Sequence, residues 1–337
     1  MHVRKRLLLL APVLALGLMP VACGNEATPA AGPSTGSSNE AVAGFPVTID
    51  NCGAKVTFER PPERVILLES APVTIFKGLG VLDKVVLRAG AFPPAYFDDE
   101  TNTFIEKIES LGEDLDSSGH LKLSQETVIA KEPDLVMGLP DGFTREGLAA
   151  SGINALMQPV YCPEGAPGAT TFDDIYGQVE TYGKIFGRQK EAAAMIDTLQ
   201  ERVTKATVRP TGKKRTAAVL FPTVGGGSGY AYGNKSMSHP QLEAAGFTNV
   251  FGDVNERVFE VTLESIIDRD PDVLVLLYVD GDPKAVKHAI VKLPGANDLR
   301  AVKNDAILVQ LFNFTEPPTP LSVDGLERIE QHFGSGT

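Results

Sequence analysis

A thirteen-residue frame occurs twice in this chain. Residues 124–136 read SQETVIAKEPDLV and residues 262–274 read TLESIIDRDPDVL. In each copy a hydroxyl residue (Ser124, Thr262) stands two places before a glutamate (Glu126, Glu264), and after six intervening residues Pro-Asp opens an apolar run. The hydroxyl is an N-cap residue, the acid suits the first turn, and the proline stops the helix. The apolar run then reads as a buried strand. A helix–strand unit repeated at matched slots is what an internal duplication leaves. A chain of 337 residues is long enough for two such halves, each with its own core.

The flanking segments agree. RVILLES (64–70), KVVLRAG (84–90), DLVMGLP (134–140) and NALMQPV (154–160) read as strands, with helices over 71–81, 124–132 and 141–153. Alternation resumes with RTAAVLFPT (215–223), DVLVLLYVD (272–280) and DAILVQL (305–311) as strands. Helices are expected from His239, over 262–270, over 283–293 and over 322–333, and 224–238 reads as a Gly-rich loop. Between the halves, Ile175, Val179, Tyr182, Ile185, Phe186, Met195, Ile196, Leu199 and Val203 follow helical spacing. One long helix is expected over 172–206, capped by Thr171, with a kink near Gly187; Gly177, Gly183 and Gly187 interrupt it. The expected fold is α/β: two Rossmann-like α/β lobes joined by one long α-helix, with a ligand cleft between the lobes.

The N-terminus has a basic MHVRKR segment followed by 16 apolar residues, too short for a span of ~20. It reads as a signal peptide over 1–22. Pro20-Val21-Ala22-Cys23 resembles a bacterial lipobox, with Pro20 where Leu is usual, so that Cys23 would carry lipid. A non-lipidated leader with an incidental cysteine is the other reading. Residues 23–44 are rich in Gly, Ser, Pro, Ala and Thr and suit a flexible tether. The boundaries expected downstream are 45–169 for the first lobe, 170–206 for the connecting helix and 207–334 for the second lobe. Cys52 and Cys162 remain, and outside the cytoplasm such a pair usually bridges, closing a loop worth ~4–5 kcal/mol at most. Two buried thiols are the alternative. The net charge of −12 carries no basic cluster beyond the leader, and Trp is absent, which argues against nucleic acid.

The segments RVILLESAPVTIFKGLGVLDKVV, ETVIAKEPDLVM, LEAAGFTNVF and ESIIDRDPDVLVL, in this order and around the 172–206 helix, resemble the substrate-binding proteins of ABC importers for ferric siderophores, haem and cobalamin. Phe247 replaces the second Gly of the family's glycine pair. The resemblance covers roughly 45–334. It implies an extracytoplasmic binding protein, not an enzyme, on the outer face of the cytoplasmic membrane. It also implies capture of an iron chelate without a cofactor of the protein's own. The implied partners are a permease and its ATPase, with the protein itself a monomer. Such proteins dock through one acidic residue per lobe, which here are Glu126 and Glu264. A stiff connecting helix implies small-angle lobe motion.

Ligands of such folds lie beyond the carboxyl ends of the strands. The loops there supply Ser70, Arg88, Phe92, Tyr96 and Asp141 from the first half, and Tyr230, Tyr232, Lys235, Met237, His239, Tyr278, Phe312 and Asn313 from the second. Arg88 and Lys235 suit an anionic chelate, or are solvated loop charges. Tyr230, Tyr232 and Phe312 suit a flat or macrocyclic ligand, or ordinary packing. His239 can ligate haem iron, or simply open its helix. A ferric siderophore is the first expectation; haem, a corrinoid and a deazaflavin precursor stay open. The scattered histidines do not form a transition-metal set. GYAYGNKS lacks the Gly before Lys-Ser that a P-loop needs, and GGSGY lacks the final Gly of a serine-hydrolase elbow. A secreted enzyme or a structural lipoprotein is the competing class.

Overall fold

Short apolar runs form a five-stranded and a six-stranded sheet beside a two-stranded hairpin, and the connecting segments layer helices on the larger sheets. The computed structural model describes residues 42–112, 121–163, 168–210, 212–225 and 229–334. The signal peptide, Cys23, most of the tether and His120 lie outside the described residues.

The first lobe opens with a hairpin, β1 (Val47–Asn51) and β2 (Ala54–Phe58), joined by Cys52-Gly53. Both loop residues have positive φ, as a tight two-residue hairpin turn requires. There follow β3 (Val65–Leu67), α1 (Val73–Gly78), β4 (Val85–Arg88), α2 (Asp99–Lys107) and β5 (Glu109–Ser110). Next come α3 (Gln125–Ile129), β6 (Leu135–Met137), α4 (Arg145–Ala149) and β7 (Asn154–Leu156). The sheet order is β5-β4-β3-β6-β7, with every pairing parallel. Two helices, α5 (Phe172–Ile185) and α6 (Gln189–Ala206), lead onward. The second lobe contains β8 (Arg215–Phe221), β9 (Gly229–Tyr232), α7 (Ser238–Ala244), β10 (Phe247–Asn249), β11 (Val258–Val261) and α8 (Leu263–Arg269). It continues with β12 (Val273–Tyr278), α9 (Pro283–Val291), α10 (Arg300–Lys303), β13 (Ile307–Leu311) and α11 (Pro320–Phe333). Its sheet runs β11-β9-β8-β12-β13, and β10 pairs beside the start of β8. The Gly-rich stretch thus holds a strand, β9, antiparallel to β8 and β11, where sequence pattern indicates only loop.

The repeated frame is one structural device built twice. Ser124 and Thr262 each accept a hydrogen bond from the backbone N–H three residues on, both at 3.3 Å. Each strand of the frame (β6, β12) pairs with the first strand of its own sheet (β3, β8). The aspartates explain the Pro-Asp. Asp134 accepts from the N–H groups of Glu63 and Arg64 (2.7 and 2.9 Å), just before β3. Asp272 accepts from the N–H of Thr216 (2.8 Å), at the start of β8. Each Asp therefore pins the frame to the neighbouring strand through a charge-assisted bond.

The one long helix expected over 172–206, with a kink near Gly187, is corrected at that glycine: the segment is two helices. Gly187, at φ 64°, takes the left-handed conformation that glycine adopts without a Cβ penalty. The N–H of Arg188 bonds the carbonyl of Gly183 (2.7 Å) and the N–H of Gly187 that of Lys184 (3.3 Å), the paired bonds of a Schellman stop. The chain turns, and α5 packs on α6. Of the two, α6, with 18 residues, bridges the lobes: it packs on α1 of the first and α11 of the second. Arg202 on α6 donates from Nε and Nη2 to Glu327 (2.9 and 2.7 Å) and from Nη2 to Asp324 (2.5 Å), both on α11. One hydrophobic core runs through the junction, joining Ile75, Phe76, Tyr182 and Leu199 to Met237 and Val323 of the second lobe. Cys52 and Cys162 form a disulfide, tying the β1–β2 hairpin to the segment after β7.

Candidate interlobe binding site

The loops that follow the strand ends of the two lobes meet. Beyond β13, Phe312–Phe314 form a single 3-10 turn, and Asn313 at its centre reaches the first lobe. Its backbone N–H donates to Tyr96 Oη at 2.9 Å, and its Nδ2 donates to Ser70 Oγ at 3.1 Å. The Tyr96 ring meets Phe314 edge-on at 5.1 Å, and Arg328 stacks over Phe314 at 3.9 Å. This turn is held by local packing. The Nε2 of buried Gln241 donates to the carbonyls of Phe314 and Ser322 (2.7 and 2.5 Å). Gly325 of α11 lies so close that a Cβ there would stand 1.6 Å from the Phe314 oxygen. Glycine at 325 is what lets the turn sit against α11.

A second meeting point holds charge. Tyr161 sits on a 3-10 turn (Pro159–Tyr161) after β7, and Arg257 of the second lobe stacks over its ring at 5.1 Å. Arg257 Nη1 lies 3.5 Å from Oε2 of Glu316, whose side chain is fully buried. Glu316 Oε1 accepts from the N–H of Met237 at 2.7 Å. Burial pushes the Glu316 carboxyl up to about 7, against the pull of Arg257 and the Met237 N–H. Burial also pushes Glu69, beside Ser70, up to about 7, offset in part by the bond it accepts from Gln158 Nε2 (3.0 Å). Gln158 in turn accepts from Gln178 of α5. Burial raises the phenols of Tyr96, Tyr161 and Tyr232 well above their usual range, so all three are neutral hydrogen-bonding groups at ordinary pH. Nearby, Thr170 Oγ1 donates to the Lys235 carbonyl at 2.6 Å.

The structure gathers some sequence candidates and disperses others. Asn313 touches both Ser70 and Tyr96, and Tyr278 packs on the cluster that holds Tyr96. Lys235, whose N–H donates to the Glu256 carbonyl, stands beside Arg257. Arg88 stacks on Phe92 at 5.4 Å and donates to the Ile105 carbonyl, so it is already engaged within the first lobe. Asp141 is exposed on the loop after β6. Phe312 packs edge-on against Phe221 at 6.1 Å. Three placements differ from the expected loop surface. Met237 is wholly buried in the shared core, because its helix start packs under Glu316. Tyr232 is buried because it belongs to β9, and its ring joins the second-lobe core. His239 is half-buried: its Nδ1 is enclosed without a hydrogen-bond partner, against Gly252. Tyr230 is 40% exposed and lines a separate apolar hollow of about 430 Å³ on the second lobe, with Leu220, Ile266 and Ile290. Arg257 and Glu316 escape sequence reading. Glu316 falls in a loop after a strand end, but nothing in its spacing marks a fully buried acid. Arg257 precedes a strand that sequence pattern does not reveal.

Glu126 and Glu264 are both exposed, one on each lobe. Each carboxyl is held below its ordinary value by its own backbone N–H and by the cap hydroxyl, Ser124 or Thr262. The two glutamates are held by the same kinds of partner. Among the described residues no three His, Cys, Asp or Glu side chains converge to hold a metal ion, and no helix is long and apolar enough to cross a membrane.

Comparison with known proteins places this architecture. The crystal structure of an ABC-type Fe3+-hydroxamate transport system from Saccharomonospora viridis DSM 43017 is 67% identical, covers 86% of this chain and 99% of its own, and superposes with a TM-score of 0.82. An uncharacterized ABC transporter substrate-binding lipoprotein of Bacillus subtilis (strain 168), YvrC, is 22% identical over 331 residues, 97% of either chain. A cobalamin-binding protein of Halobacterium salinarum is 24% identical over 315 residues, 90% of this chain and 79% of that one. The periplasmic binding protein family matches residues 65–309. With two α/β lobes bridged by α6, this chain belongs to the periplasmic binding protein family.

Proposed function

We propose that the protein is the extracytoplasmic substrate-binding component of an ABC importer, and that it captures a ferric siderophore of the hydroxamate class. The observation that carries this reading is the 67% identity, over 86% of the chain, to a protein of an Fe3+-hydroxamate transport system. The site chemistry agrees with it. Neutral phenols, Ser70 and Asn313 offer hydrogen bonds, while Phe92, Phe312 and Phe314 offer apolar surface to an organic shell around iron. The protein then needs no cofactor, because the metal arrives inside its chelate. In this reading Glu126 and Glu264 dock the loaded protein on arginines of the permease, whose ATPase drives release. Cys23 carries the lipid that holds the protein at the outer face of the membrane.

The test is a titration panel on the purified mature protein, read by tyrosine fluorescence and calorimetry: a ferric tris-hydroxamate, haem and cobalamin. Saturable one-to-one binding of the hydroxamate alone is the expected result. Tight binding of cobalamin instead, as the Halobacterium salinarum relative's name indicates for that protein, would replace the siderophore reading with a corrinoid one. Turnover of any of the three would sink the binding-protein reading.

A further inference from the structure

One buried acid where the lobes meet, Glu316, is incompletely satisfied. Glu316 is fully enclosed, yet its Oε2 has no hydrogen-bond partner. Arg257 Nη1 stands 3.5 Å away, too far for a good hydrogen bond, and the Arg257 side chain is 27% exposed. Among the described residues the Arg257 guanidinium donates no hydrogen bond, although it carries five N–H groups. It rests on the Tyr161 ring of the opposite lobe. A cation placed between lobes, loosely tethered to an acid behind it and lying on an aromatic face, is free to turn to a better acceptor. Arg88, by contrast, is committed to the Ile105 carbonyl and Phe92.

We infer that Arg257 is the residue that reads ligand charge: an acidic group on the bound chelate draws its guanidinium from Glu316, and the protein therefore selects anionic over cationic ferric chelates. This inference rests on the siderophore reading above. In it Glu316 is a competitor for Arg257, not a ligand contact, and Tyr161 is the platform that keeps the guanidinium in the crevice.

Three probes share one iron-binding core: ferrioxamine B, whose amine leaves it with one positive charge; its neutral N-acetyl derivative; and its N-succinyl derivative, with one negative charge. Wild type is expected to bind the succinyl derivative most tightly. Because Arg257→Gln alone would leave Glu316 buried and unpaired, the double variant Arg257→Gln/Glu316→Gln is the cleaner test. It should lower the succinyl-to-amine affinity ratio about tenfold, the scale of one charge-assisted bond. Arg257→Lys should keep part of the preference. Glu316→Gln alone should raise the ratio, because it releases Arg257; a merely structural Glu316 would weaken all three probes alike. An unchanged ratio in the double variant, or equal weakening of the three in Glu316→Gln, overturns the assignment of Arg257 while leaving the siderophore reading intact. Failure of wild type to bind any of the three overturns both.

Discussion

Replacing Glu316 by glutamine should make the protein's stability less sensitive to a rise in pH from the acidic range to neutrality. The ordinary value of this carboxyl is 4.5, and in the folded protein burial holds it at about 7. Between those values the folded state keeps a proton that the unfolded chain has released. Stability is therefore lost as pH rises through this window, and the loss is complete above the folded value. A difference of this size corresponds to ~3 kcal/mol for the single group. The groups facing Glu316 are the charged Arg257 and, at longer range, the neutral phenols of Tyr161 and Tyr232. Glutamine retains Oε1 for the Met237 N–H and cannot ionise. Urea unfolding followed by circular dichroism should be run on both proteins from about pH 5 to about pH 8.5. Subtracting one curve from the other cancels Glu69 and the histidines. The variant should gain on wild type by ~3 kcal/mol across the range. A difference that stays constant with pH would refute the reasoning, because it would mean that Glu316 is not desolvated in the folded state.

Other perturbations test other parts of the structure. Cys52→Ser/Cys162→Ser opens a loop with a sequence separation of 110 and should cost up to ~4–5 kcal/mol, read as a lower urea midpoint than that of the oxidised wild type. Gly325→Ala should destabilise by ~1–3 kcal/mol and weaken chelate binding, since the new methyl displaces the turn that carries Asn313; unchanged affinity would remove this turn from the site. Gly187→Ala should cost ~1 kcal/mol in thermal or urea unfolding, because the left-handed stop between α5 and α6 penalises a side chain. Glu126→Arg/Glu264→Arg should abolish uptake in cells while chelate affinity stays at the wild-type value; lost affinity would assign these residues to the crevice or the fold instead.

How much was legible beforehand follows from the range of each interaction. The repeated frame is local: a cap hydroxyl, an acid in the first turn and a proline stop act within ten residues, so the helix–strand unit and the exposed acids could be read directly. The duplicated unit then implied two lobes, and the cysteine pair its bridge. Three features were decided elsewhere. The break at Gly187 depends on whether a glycine takes the left-handed conformation, which spacing cannot report because both α5 and α6 keep the same apolar face. Strand β9 forms inside a Gly-rich stretch because β8 and β11 offer it partners on either side. That pairing buried Tyr232, and packing of the α7 start against Glu316 buried Met237. The site itself is assembled from residues as far apart as Ser70 and Asn313, or Tyr161 and Arg257 and Glu316. Local chemistry wrote the elements into the chain. Contacts between distant segments, with the desolvation they impose, selected which side chains face the crevice and which charge stands there unsatisfied.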